Sequence, residues 1–200
     1  MKGYIPKTAL AAAVMAFFVW DVTSLAPSPS ARGTGDAKRG EYLVKGGGCG
    51  DCHTPKKMDP SGLEPDITLD LAGHPAALVM PSPPKLPEGP WLVIASGTFT
   101  AWAGPWGVSF AANITPHKEV GIGAWDEKAF LDTIRNGRVM GRGRPILPPM
   151  PVPDLQNLTD DDLKAIYSYL MTLTPNANKV PAPIPPSGVP AADASKAGMR

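Results

Sequence analysis

Cys49-Gly50-Asp51-Cys52-His53 holds both cysteines of the chain and one of its three histidines. Two thiols three residues apart can add to the two vinyl groups of one haem. The adjacent histidine then faces the iron, and a neutral imidazole suits iron as a ligand. Once the thioethers form, the haem is a covalent part of the fold. Other uses of the pair fit less well. A thioredoxin-like motif belongs in a βαβ pattern that is missing around it. A zinc site needs a second Cys/His pair to complete four ligands. A simple disulfide leaves His53 without a purpose.

A chain of 200 residues can bury one substantial core. With 25 Pro and 21 Gly, much of it is expected to be loop, and a covalent haem offsets that by supplying apolar core. The formal net charge is +1, and leaving out residues 1–26, with Lys2, Lys7 and Asp21, brings it to zero. There is no basic excess and no basic–aromatic stripe, which argues against a nucleic-acid partner.

Residues 1–26 read as an export signal. Lys2 and Lys7 form a basic start, Thr8 to Trp20 is an apolar run closed by Asp21, and Ser24-Leu25-Ala26 offers small residues for cleavage. An uncleaved anchor is the alternative. Either way the globular part is expected outside the cytoplasm, in the periplasm or held at the outer face of the inner membrane. Residues 27–35 read as a linker, 36–174 as the folded domain and 175–200 as a disordered tail.

Three helices are marked by their ends. Asp36 caps a first helix over Ala37–Lys45, which the Gly46-Gly47-Gly48 run turns into Cys49. Trp125, Asp126 and Phe130 have the spacing of a hydrophobic staple around an N-cap, and Asn136-Gly137 closes that helix. Thr159 caps the last helix, with Asp160 to Asp162 in its first turn and Leu163, Ile166, Tyr167 and Leu170 along one face. Between the first two, Thr54 to Pro90 carries no helix signal, and Trp91–Trp102 around Gly97 suggests a short β-hairpin. Trp91, Trp102 and Trp106 are expected to pack on the core or the haem edge. His74 is expected in a surface loop, with iron ligation as its alternative use.

An electron-transfer haem needs a second axial ligand, and a thioether stabilises reduced iron. Among Met58, Met80, Met140, Met150, Met171 and Met199, Met150 stands out in Pro148-Pro149-Met150-Pro151. Three prolines stiffen that loop and remove three amide donors that would need partners. Met140 is the runner-up, and Met171 reads as helix core. Arg135, Arg138, Arg142 and Arg144 around the loop suit either a haem propionate, an acidic docking partner or plain solvation.

Taken with Gly40–Val44, Asn113-Ile114-Thr115-Pro116, Gly121–Trp125 and Leu163–Leu170, these motifs resemble the class I c-type cytochrome family. The resemblance is greatest to periplasmic monohaem cytochromes related to the cytochrome subunits of membrane-bound dehydrogenases. It covers roughly residues 36–173. It implies an all-α cytochrome c fold around one haem c, here carrying a long Pro/Gly-rich insertion over residues 56–112 with a short β-hairpin. Cys49 and Cys52 would be the thioether anchors, His53 the proximal ligand and Met150 the distal one. Gly40 would meet Tyr169 where the first and last helices cross, and the residues around Asn113 would edge the haem. The expected function is one-electron transfer rather than catalysis, with a dehydrogenase, oxidase or reductase as redox partner. A five-coordinate haem sensor or peroxidase-like enzyme, and a fixed haem subunit of a larger complex, are the competing functions.

Overall fold

A computed structural model describes residues 36–83 and 89–186. The expected export signal, the linker at 27–35, residues 187–200 and Met199 lie outside the described residues.

The helix ends form where side chains can satisfy the first free amides. In α1 (Ala37–Gly46), Asp36 Oδ1 accepts from the Lys38 amide at 2.9 Å. In α3 (Glu127–Asn136), Asp126 accepts from the Ala129 amide at 2.7 Å, and Gly137 caps the far end. In α5 (Asp160–Leu170), the Thr159 hydroxyl accepts from the Asp162 amide at 3.1 Å. Two shorter helices, α2 (Cys49–His53) and α4 (Val152–Leu155), carry no side-chain cap. α5 ends at Leu170, so Met171 to Leu173 continue its apolar face only as a turn.

α1 and α5 pack against each other at Gly40. A Cβ there would overlap the Ala165 carbonyl and lie 2.8 Å from Tyr169 Cβ, so the two backbones meet where only glycine fits. This is the Gly40–Tyr169 crossing expected from the sequence. Val44, Ile122, Phe130, Ile134, Leu163, Ile166 and Leu170 form the core beneath it, with Leu71 reaching in from the long insertion. The Phe130 and Tyr167 rings lie 5.6 Å apart, and the Tyr167 hydroxyl donates to the Trp125 carbonyl at 2.8 Å.

The all-α expectation is overturned. Among the described residues, five strands in two antiparallel sheets stand beside the helices. One sheet pairs β1 (Lys56–Asp59) with β2 (Gly62–Pro65). The other runs β3 (Ile94–Ala95), β4 (Ala101–Gly104), β5 (Gly107–Phe110) in spatial order. Prolines disfavour α-helix in this insertion, which holds only a short 3-10 turn at Ile67–Leu69, and turn chemistry folds it into hairpins. Asp59 Oδ1 accepts from the Ser61 amide at 2.7 Å to close the first turn, while Pro105-Trp106 links β4 to β5. The hairpin expected around Gly97 is present as β3–β4, with β5 added. Trp102 is buried in it, but Trp91 is 71% exposed and packs on no core.

Residues 175–186, expected to be part of a disordered tail, are strapped across the domain. Asn113 Nδ2 donates to the Asn176 and Asn178 carbonyls at 2.8 and 3.0 Å. Asn178 Nδ2 donates to the Ala72 and His74 carbonyls, both at 2.8 Å. Ile184 then exchanges backbone hydrogen bonds of 2.7 and 2.9 Å with Val108 at the open edge of β5. Asn113 is thus a buried anchor for this strap. Among the described residues, no helix is long and apolar enough to cross a membrane.

Candidate haem site

α1 stops at Gly47, whose amide donates to the Leu43 carbonyl at 2.8 Å. Gly48 follows with φ 69°, a left-handed turn that glycine adopts without strain. That turn starts the single helical turn of α2. Its i, i+3 spacing puts Cys49 and Cys52 on one face, with His53 one residue further on. Both thiols are free and half-buried. Burial raises the Cys49 thiol above its ordinary value, with Cys52 and Asp51 adding to the effect and its own amide opposing it. Burial also raises Cys52, with Asp51 adding and Lys56 opposing.

His53 is only 7% exposed. Its Nδ1 lies 2.7 Å from the Ala112 carbonyl oxygen. A carbonyl can only accept, so Nδ1 carries the proton and Nε2 is the basic nitrogen. Nε2 has no hydrogen-bond partner among the described residues, and burial holds the ring below its ordinary value, hence neutral. The backbone is pinned as well, since the Gly73 amide donates to the His53 carbonyl at 2.7 Å. Thr54 extends the clamp by donating to Asp70 at 2.7 Å and accepting from the Leu71 amide at 2.9 Å. An imidazole fixed through Nδ1–H with Nε2 free is the arrangement that metal-binding histidines use.

Met150 is half-buried in its proline loop, ahead of α4. The Ser109 hydroxyl of β5 donates to the Pro148 carbonyl at 2.5 Å. Ser109 and Ala112 therefore tie the Met150 loop and the His53 ring to one short stretch of chain. The other methionines are placed elsewhere. Met140, the runner-up, is 42% exposed and lines a hollow of about 330 Å³ with Asp126, Lys128, Asp132 and Arg142. None of Cys49, Cys52 or His53 lines that hollow. Met58 is 74% exposed on β1, Met80 lines a small apolar hollow beside Trp102, and Met171 packs on the core.

His74 is neither a surface residue nor a free ligand. It is fully buried, with Nε2–H donated to the Leu78 carbonyl at 2.9 Å and Nδ1 accepting from the Thr100 hydroxyl at 2.9 Å. Thr98 and Ser96 continue this hydroxyl chain at 2.8 and 2.9 Å. Arg135 is likewise committed to structure. It pairs with Asp160 at 2.6 Å and donates to the carbonyls of Gln156 and Leu158. Arg138, Arg142 and Arg144 form no ion pair among the described residues. Among the described residues, no three His, Cys, Asp or Glu side chains cluster as a metal site.

No family model matches the chain. Individual relatives do. It is 31% identical to the gluconate 2-dehydrogenase cytochrome c subunit of Pantoea cypripedii over 134 residues, 67% of this chain and 22% of that protein. It is 27% identical to the fructose dehydrogenase cytochrome subunit of Gluconobacter japonicus over 164 residues, 82% of this chain and 26% of that one. The chain belongs to the cytochrome c family. This cytochrome c is also 31% identical to the quinone-dependent alcohol dehydrogenase cytochrome c subunit of Gluconobacter oxydans over 136 residues, 67% of the chain and 20% of that protein. It spans about a quarter or less of the length of these relatives.

The residues present fit the cofactor of that family. Two free thiols on one face of a helix are placed to hold the haem vinyls, and a neutral imidazole with its second nitrogen free is a donor that suits iron, as is a thioether such as Met150. Proline-rich insertions and a three-residue spacing say little alone. The signal that sequence reasoning missed is the Ala112 carbonyl, a backbone atom that no side-chain pattern reveals.

Proposed function

We propose that this cytochrome c domain transfers single electrons through one haem c attached at Cys49 and Cys52, with His53 Nε2 and Met150 Sδ as axial ligands. The observation that carries the proposal is the His53 imidazole, buried and locked through Nδ1–H to Ala112 with Nε2 left basic. A haem bound there supplies the redox chemistry, its iron cycling between Fe(III) and Fe(II). The chain's own part would be to hold the iron through His53 and Met150, which would leave no open coordination site for a substrate. A neutral His53 and a soft Met150 favour the reduced iron and raise its potential. The clamp at Gly73, Thr54 and Ala112 keeps the proximal side rigid, so little reorganisation accompanies electron transfer.

The partner in this reading is a membrane-bound dehydrogenase, since the relatives named above are cytochrome subunits of such enzymes. The site lies outside the cytoplasm, in keeping with an export signal at residues 1–26. The domain then relays electrons and does not itself oxidise the dehydrogenase substrate.

The test is the absorbance spectrum of the exported, haem-loaded protein. A weak methionine-to-iron charge-transfer band in the oxidised form, lost in Met150→Ala and retained in Met140→Ala, is expected. A wild-type protein that lacks the band and binds CO rapidly when reduced overturns the electron-carrier reading in favour of a five-coordinate sensor.

A further inference from the structure

We infer that Ser109 is a positioning residue for Met150, acting on the ligand through the Pro148 carbonyl. The inference rests on the reading of Met150 as the distal ligand and concerns what holds it there.

The loop has few means of attachment. Pro148, Pro149 and Pro151 have no amide hydrogen, so the backbone donors between Leu147 and Pro151 are Leu147 and Met150 themselves. The Met150 amide turns back to the Leu147 carbonyl at 3.4 Å, and the Met150 carbonyl accepts from the Val152 amide at 2.8 Å. Both bonds stay inside the local chain. The Pro151 carbonyl likewise accepts only from Asp154 and Leu155 of the adjoining α4, so among the described residues the hydrogen bond from Ser109 Oγ to the Pro148 carbonyl, at 2.5 Å, is the one that ties this segment to a part of the chain distant in sequence. Ser109 is buried, so water competes little for that bond. The Trp106 indole N–H donates to the same Ser109 oxygen at 3.2 Å. A hydroxyl that accepts one hydrogen bond donates the next more strongly, so Trp106, Ser109 and Pro148 form a short cooperative chain.

Ser109 sits in β5 opposite Trp102. Three residues further along, Ala112 orients the proximal His53. β5 and the two residues that follow it therefore carry the contacts that place both ligands. A stiff loop with one firm tether keeps the Met150 thioether in place; without the tether, the loop pivots as a unit and the thioether leaves the iron more often.

The experiment uses the full chain, haem-loaded. CO binding to the reduced form reads Met150 dissociation, because CO enters only when the thioether is off. Ser109→Ala is expected to speed CO binding about tenfold, the effect of losing roughly one buried hydrogen bond, and to lower the pH at which the charge-transfer band is lost. Ser109→Thr keeps the hydroxyl and is expected to restore both to near the wild-type values. Trp106→Phe, which leaves the Ser109 hydroxyl in place but removes its donor, is expected to speed CO binding by a smaller factor. It carries the test if Ser109→Ala does not fold. Thermal unfolding is followed in parallel: a residue that serves only stability shifts the melting point without moving the CO rate or the pH profile, and that outcome overturns the inference. Wild-type CO rates in Ser109→Ala and Trp106→Phe, with the band present in the wild type, overturn it alone. Absence of the band from the wild type overturns the ligand reading instead.

Discussion

Gly40 lies flat against α5, where a methyl group would overlap the Ala165 carbonyl and sit 2.8 Å from Tyr169 Cβ. The obstacle is backbone, which cannot rotate aside as a side chain can. Gly40→Ala is therefore expected to force α1 and α5 apart. The cost should reach the upper end of the ~1–3 kcal/mol typical of overpacking, despite the gain in helix propensity. Chemical denaturation of the variant, compared with Gly46→Ala at an unobstructed glycine of the same helix, measures it.

If Cys49 and Cys52 both anchor the haem as proposed, the two thiols make separable contributions. Cys49→Ser and Cys52→Ser should each retain haem through one thioether, while the double variant should release it under denaturing conditions. Haem staining after denaturing electrophoresis distinguishes the three. Retention in the double variant would show that attachment lies elsewhere.

His74 sets a pH dependence whose sign is fixed by its burial. Desolvation lowers its folded value, with the Leu78 carbonyl opposing. The unfolded chain, near about 6.5, therefore binds the proton first as pH falls. The contribution to stability is complete above that value and declines as pH drops through it toward the folded value. Melting temperature should fall between about pH 7 and 5, and His74→Gln should flatten that slope. A slope unchanged in His74→Gln would assign the dependence to other groups.

The strap predicts a local loss of order. Asn178 gives its amide to two carbonyls and accepts from the Ala76 amide at 2.8 Å. At about 1 kcal/mol per hydrogen bond, Asn178→Ala should cost roughly 2–3 kcal/mol. Limited proteolysis should then cut between residues 176 and 186 well before the helical core, and simultaneous cleavage throughout would show the strap to be integral to the fold.

The parts of this molecule governed by local chemistry could be read from its sequence. Asp36, Asp126 and Thr159 each cap the helix they were expected to cap, because an N-cap needs only one oxygen at one position. The Gly40 crossing was legible through its resemblance to known cytochromes. The two-stranded β1–β2 sheet was not, since Lys56–Asp59 and Gly62–Pro65 have little β-propensity and pair only because the turn between them closes. The signal present was Asp59-Pro60-Ser61-Gly62, a good type I turn sequence. The strap depends on contacts 104 and 106 residues apart and the His74 ring on Thr100, 26 residues away, which no local pattern encodes. Of the site, Cys49, Cys52, His53 and Met150 could be named as candidates, but the atoms that aim them, the Ala112 carbonyl and the Ser109 hydroxyl, could not.

Because Ser109 lies in β5 and Ala112 follows two residues beyond its end, the pairing register of β4 and β5 acts as a gauge for the Met150 loop and the His53 ring. Trp102 faces Ser109 and Ala101 faces Phe110. A slip by one residue would turn Ser109 to the opposite face and carry Ala112 along by about 3.3 Å. Insertions in the Pro60–Ser61 turn leave that gauge untouched, whereas a single residue added within β5 recalibrates the His53 ring and the Met150 loop at once.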